Sequence, residues 1–188
     1  MMKYYRLLDK LNIRNRWFLG EVYSSKKVNI WNYISIKNSK LDSNQKLVMD
    51  IIENGEALDF TFSAFDVPIV SERIKSILDD EEVFFIPINI KKSKENFYIL
   101  VIKKYIDAVD SDLSDFLLWE ENNKIRPDLA GTYKVFQKLI VDGNKTESSN
   151  IFRIENYEIA LIISEDIMKK FKKYKITGID YKCVSCLD

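Results

Sequence analysis

A chain of 188 residues with 29 basic and 29 acidic side chains, no histidine and 46% hydrophobic residues can bury one sizeable core without a metal or disulfide staple. A formal charge of zero leaves no electrostatic footprint for a phosphate backbone and argues against nucleic-acid binding. Without histidine, the commonest general base and metal ligand and every Ser-His or Cys-His pair are excluded, so any catalysis falls to carboxylates, lysines or tyrosines.

The start of the chain lacks the roughly 7 to 15 residue apolar stretch of a secretory signal, and no later run reaches the roughly 18 residues of a membrane span. The expected location is therefore the cytoplasm, with no membrane partner. Two cysteines, Cys183 and Cys186, form no framework for a secreted fold and are read as thiols in a reducing compartment. No repeat or linker is evident, and 1–188 is read as a single domain, with two lobes dividing near residue 80 as the variant.

Strands are predicted first at Tyr4 to Leu8 and Trp17 to Val22, where aromatic residues cluster. Leu58, Phe60 and Phe62 alternate with Asp59, Thr61 and Ser63, which predicts a half-buried strand entered through Asn54-Gly55. Asp66 as N-cap, Pro68 in the first turn and Val67, Val70, Ile74, Ile77 and Leu78 on one face predict a helix to Leu78. The acids from Asp79 to Glu82 follow as a solvated loop. Val83 to Ile90 and Phe97 to Val109, joined by the polar break Lys91 to Asn96, read as a long hairpin at the centre of a sheet. Further strands are expected at Thr132 to Val141, Ile151 to Arg153 and Glu158 to Ile163. A second helix then starts at Ser164, with Glu165 and Asp166 in its first turn and lysines through Lys175. Gly178 stops it, and Ile179 to Val184 is the last strand. The order fits an α+β fold, a mostly antiparallel or mixed sheet with two or three helices.

Several local patterns bear on chemistry. Asp110-Ser111-Asp112-Leu113-Ser114-Asp115, with Glu121 at the twelfth position, matches part of a calcium loop, but the sixth position is Asp115 where a glycine is needed. The competing reading is a solvated acidic loop, or a short helix capped by Ser111 or Ser114 and running through Trp119. Cys183 and Cys186 have the spacing of half a zinc site and lack the other ligands. Met168 to Lys175 reads as a solvated basic face above buried Phe171 and Tyr174, rather than as a membrane or nucleic-acid surface. Asp107 and Asp110 could act as an acid-base pair, yet no nucleophile or phosphate-cradling loop accompanies them. Trp119, with Glu120 and Glu121 beside it and Asp112 and Asp115 before it, fits an interface anchor ringed by charge as well as a core tryptophan near a loop. Its acidic surroundings suggest a basic partner.

Taken in order, several strings resemble a known family. They are Tyr4-Tyr5-Arg6-Leu7, Arg16-Trp17-Phe18-Leu19-Gly20, Leu58-Asp59-Phe60 leading to Val67-Pro68-Ile69-Val70-Ser71, Phe97-Tyr98-Ile99-Leu100 to Ile106-Asp107, Ile151-Phe152-Arg153, and Ile163-Ser164-Glu165-Asp166 to Thr177-Gly178. Together they look like the immunity-protein family first named from a myxobacterial protein, a domain later assigned to bacterial polymorphic toxin systems. The resemblance implies a cytosolic protein encoded beside a secreted toxin, which protects the producing cell by binding that toxin, with no enzymatic activity and no cofactor. It assigns no toxin-contact residue. The matched Trp17, Gly20, Asp59, Pro68, Arg153, Ser164 and Gly178 look structural, and the Cys183 and Cys186 tail departs from the family's pattern.

The reading is thus a non-catalytic immunity protein without metal or cofactor. Its candidate toxin-binding residues are Asp112, Asp115, Trp119, Glu120 and Glu121. The alternatives are a small carboxylate-dependent enzyme, with or without calcium, and a scaffold that self-associates through an uncovered sheet edge.

Overall fold

A computed structural model describes residues 2–24, 46–79 and 81–185. Branched and aromatic runs become strands from the start: Tyr4–Asp9 is β1 and Phe18–Ser24 is β2, both where their composition predicts them. Leu47–Glu53 is β3, a strand unassigned from the sequence although Leu47, Met49 and Ile51 alternate with Val48, Asp50 and Ile52. Phe60–Ser63, predicted by its period of two, is β4. Val83–Ile90 and Phe97–Ile102 form the expected antiparallel hairpin, β6 and β7. The second of these strands stops at Ile102 instead of Val109, because Lys103-Lys104 interrupts the apolar run.

The helix expected from Asp66 to Leu78 is mostly a strand. Val67–Ser71 is β5, and helix α1 covers only Glu72–Ile77. All five residues of β5 are buried between β4 and β7. A short run that is apolar on both faces satisfies helical spacing by accident, and its Val67, Ile69 and Val70 are β-branched. Asp66 caps nothing: Phe65 and Asp66 take positive φ of 62° and 56° and turn the chain from β4 into β5. Pro68 is tolerated because it pairs with Phe62 of β4, while the ladder to β7 begins only at Ile69.

Two compact units result. One comprises residues 8–103 and 169–180. Its six-stranded sheet has the order β2-β3-β6-β7-β5-β4, antiparallel except for the parallel pair β3 and β6. The two edges, β2 and β4, come against each other, and the Trp17 indole donates to Thr61 Oγ1 at 3.1 Å. The curled sheet encloses Trp17, Met49, Ile69, Ile88, Phe97 and Ile99, and α1 packs against β5 and β7.

The other unit comprises residues 1–7, 104–168 and 181–188. It holds β8 (Tyr105–Ile106), β9 (Asp115–Leu118), β10 (Tyr133–Lys138), β11 (Ile151–Ile154), β12 (Tyr157–Ser164) and, from Tyr181 onward, the last strand, β13 (Ile179–Cys183). Five strands form a mixed sheet in the order β13-β1-β12-β11-β8 over a core that includes Tyr4, Phe152, Ile154, Tyr157 and Ile162. Helix α2, Glu165–Lys173, starts as predicted: Ser164 Oγ accepts the Ile167 N–H at 3.4 Å. Acids occupy its first turn and lysines its last, in accord with the helix dipole. The chain then reaches Gly178, whose φ is +91°. Mixed sheets with two helices among the described residues make the fold α+β, as expected. At the end of β13, Cys183 is disulfide-bonded and not the free thiol expected; Cys186, like Asp80 of the acidic loop, lies outside the described residues.

Candidate functional site

The five candidate residues lie on or beside one hairpin, formed by β9 and β10 and separate from both larger sheets. Its entry is the acidic stretch. Asp110 Oδ1 accepts the N–H groups of Asp112 and Leu113, each at 3.1 Å, and so closes a turn. Ser114 then bonds through its hydroxyl to both the N–H and the C=O of Ile140, at 2.9 and 3.2 Å. No group of three or more Cys, Asp or Glu side chains is placed to hold a metal among the described residues. The short helix weighed for this stretch is also absent, because Phe116, Leu117 and Leu118 pair antiparallel with Phe136, Val135 and Tyr133.

Pairing sets the two faces of the arm. Paired residues share a face and successive residues alternate. Phe116, Tyr133 and Phe136 stack together with ring centroids 4.7 to 5.5 Å apart, and Phe136 meets Tyr157 of β12 at 4.8 Å. This is the inner face. Burial there raises the Tyr133 phenol above its ordinary pKa, with Asp107 adding to the shift. Asp115, Leu117 and Trp119 alternate onto the outer face, where Lys138 lies opposite Asp115 and Val135 opposite Leu117.

Trp119 continues the ladder beyond β9. Its N–H donates to Thr132 O at 2.9 Å, and its carbonyl accepts from Gly131 N at 3.0 Å. The ring is half-buried, with Lys134 Nζ 5.0 Å from its centroid. Glu120 and Glu121 are exposed at the mouth of the connecting loop, which is built from its own bonds. Asn123 Oδ1 accepts the Ile125 and Arg126 N–H groups at 2.9 and 3.0 Å, and Arg126 forks onto Asp128 at 3.0 and 2.7 Å. That fork holds the Asp128 carboxyl below the ordinary carboxylate range. Gly131, at φ +73°, leaves room for Glu121: a Cβ there would sit 3.2 Å from Glu121 Oε1.

The structure therefore gathers Asp112, Asp115, Trp119, Glu120 and Glu121 along one arm. It also exposes Leu117 and Val135 on the outer face and Ile125 in the loop, which were not singled out from the sequence. Pro127 and Gly131 between two apolar runs are the hairpin signal that would have located them.

Other clusters do different work. Asp107 is exposed, and Asp110 accepts two backbone N–H groups through one carboxylate oxygen. Arg73, Ser76, Ile77, Lys170, Lys173 and Tyr174 line a cavity of about 550 Å³. Its basic character is largely compensated, since Arg73 pairs with Asp59 at 2.8 Å and Lys170 lies 4.0 Å from Glu81. Tyr174, expected beneath the lysines, is 53% exposed, whereas Phe171 is buried.

No described helix is long and apolar enough to cross a membrane. Compared with known families, the sequence matches the immunity protein family (Imm11) over residues 10–185. No curated protein matches it.

Proposed function

We propose, from the premise that this chain belongs to the immunity protein family Imm11, that it is a non-catalytic cytoplasmic protein that binds and neutralises a cognate bacterial toxin. The family match over residues 10–185 carries this reading. The cognate toxin is encoded beside it, and the protein protects the producing cell by covering the toxin's active site or locking its conformation. Asp112, Asp115, Trp119, Glu120 and Glu121 form the toxin-facing surface. Two features support that assignment. Between Tyr105 and Asn123 there are six acidic residues and no basic one, in a chain whose total charge is zero, and such a local excess speeds capture of a basic partner. The loop that carries Glu120 and Glu121 is held by its own hydrogen bonds, so little ordering cost falls on binding.

Co-expression with the product of the adjacent open reading frame tests the proposal. Growth of a host that the neighbour alone arrests, together with recovery of a stoichiometric complex on the tagged protein, is the expected result. A neighbour that is toxic yet neither bound nor relieved refutes it.

A further inference from the structure

Fourteen large apolar or aromatic side chains are exposed among the described residues, and five of them fall between residues 113 and 135. That concentration is not a by-product of a loose hairpin. The inner face of the arm carries the half-buried rings of Phe116, Tyr133 and Phe136, the last two packed against the core of their own unit, with Leu118 opposite Tyr133 at 48% exposure. The outer face nonetheless presents Leu117 at 53% exposure opposite Val135, and the loop presents Ile125 at 89%. A hydrogen-bonded loop that holds an isoleucine almost wholly in water gains no hydrophobic free energy from it until a partner covers it, and its grouping with Leu117 and Val135 marks such a patch.

The charges indicate what covers it. Two bases of the arm are already engaged, Arg126 with Asp128 and Lys134 over the Trp119 ring, while Lys138 stands opposite Asp115 in the ladder. Among the described residues, no ion pair engages Asp112, Glu120 or Glu121. A second copy of this chain docking through the same arm would bring the same six acids of residues 105–123 against themselves, with only Lys124 and Lys138 as bases not already engaged. A partner with apolar seats rimmed by lysine or arginine meets both demands.

Resting on the immunity reading, we infer that Leu117, Val135 and Ile125 are the energetic anchors of the toxin contact. They insert into apolar seats on a basic toxin surface, whose rim meets Asp112, Glu120 and Glu121. Trp119 then acts as a positioning residue: it holds Lys134 and the start of the loop and is not the central anchor.

The test uses the full chain and the product of the adjacent open reading frame as probe. Ile125→Asp and Leu117→Asp each weaken binding by about tenfold or more, with the melting temperature unchanged because both side chains are exposed. Ile52→Asp is the control. It is 67% exposed on β3, away from the arm in sequence and sheet, and it binds as wild type. Raising the salt slows association with wild type, and the Glu120→Lys, Glu121→Lys double variant loses most of that dependence. If wild type binds and rescues growth while Ile125→Asp and Leu117→Asp bind equally well, the inference fails and the immunity reading stands. If wild type is a dimer that Ile125→Asp dissolves without altering toxin affinity, the face belongs to a second copy and the inference is overturned. If wild type neither binds nor rescues, the immunity reading falls, and this inference with it.

Discussion

Among the described polar side chains of the unit formed by residues 8–103 and 169–180, Asp59 ties together the most distant segments. Its carboxylate is 6% exposed as a residue and accepts from Ser71 Oγ at 2.7 Å, Arg73 Nη1 at 2.8 Å, and both Thr177 N and Thr177 Oγ1 at 2.9 Å. It thereby ties the start of β4, the N-cap of α1 and the segment after α2. Ser71 gives no side-chain bond to its own helix, so the hydroxyl has been diverted to the carboxylate. Asp59→Ala strands several of these donors at once and is expected to cost about 3 kcal/mol. Thr177→Val removes only the hydroxyl and should cost about 1 kcal/mol. Urea unfolding at constant slope separates the two, and equal midpoints would show that the carboxylate does not govern the network. Its role had only a partial trace in the sequence. Asp59 stood out in a matched string, but Thr177 lies 118 positions away, and no local period reports a partner at that distance.

At the scale of elements, what was legible depended on whether one face or two is buried. β4 and the β6-β7 hairpin declared themselves by alternation or by bounded branched runs, and α2 by its cap and charge order. β5 did not, because a strand covered on both faces has no alternation to read, and Asp66 and Pro68 supplied a false helix start. The candidate surface divides in the same way. Its acids were visible as a charge run, whereas its hairpin geometry was hidden, since Phe116-Leu117-Leu118 reads as core from composition alone. Only the pairing with Tyr133, Val135 and Phe136 separates the stacked, half-buried rings from the exposed Leu117. That separation makes a prediction about the arm. Phe136 touches Phe116, Tyr133 and Tyr157, so Phe136→Ala removes one of the two rings that pack the hairpin against its unit. The expected loss is about 2 kcal/mol, concentrated locally. Amide exchange should accelerate at Phe116 to Leu118 and Tyr133 to Lys138, while the β6-β7 amides keep their protection. Uniform acceleration across all strands would mean that the arm is not a separable cooperative piece.

The molecule as a whole has titrating groups that oppose one another in acid and act together in alkali. On the acid side, Asp9 is raised, chiefly by burial, against the opposing pull of the Phe62 N–H and Arg16. Its contribution is present below the ordinary carboxyl pKa and is lost as pH rises through the raised value. Asp50, Glu72 and Asp128 are lowered by hydrogen bonds from Tyr23, Tyr98 and Arg126. Their contributions are present above the ordinary range and disappear as pH falls, so the two sets work in opposite directions. The phenols do not. Tyr105, Tyr133 and Tyr181 are all raised by burial, Tyr181 from 10.0 to about 12. A phenol with a raised folded pKa favours the native state fully below pH 10 and loses that advantage as pH climbs toward about 12. Stability should therefore fall steeply over that window, with phenolate absorbance rising together with loss of tertiary structure instead of before it. Tyr181→Phe cannot ionise, so its stability should decline less steeply over the same window. Phenolate appearing entirely near pH 10 with the near-ultraviolet circular dichroism intact would show that these rings are open to water in the native fold.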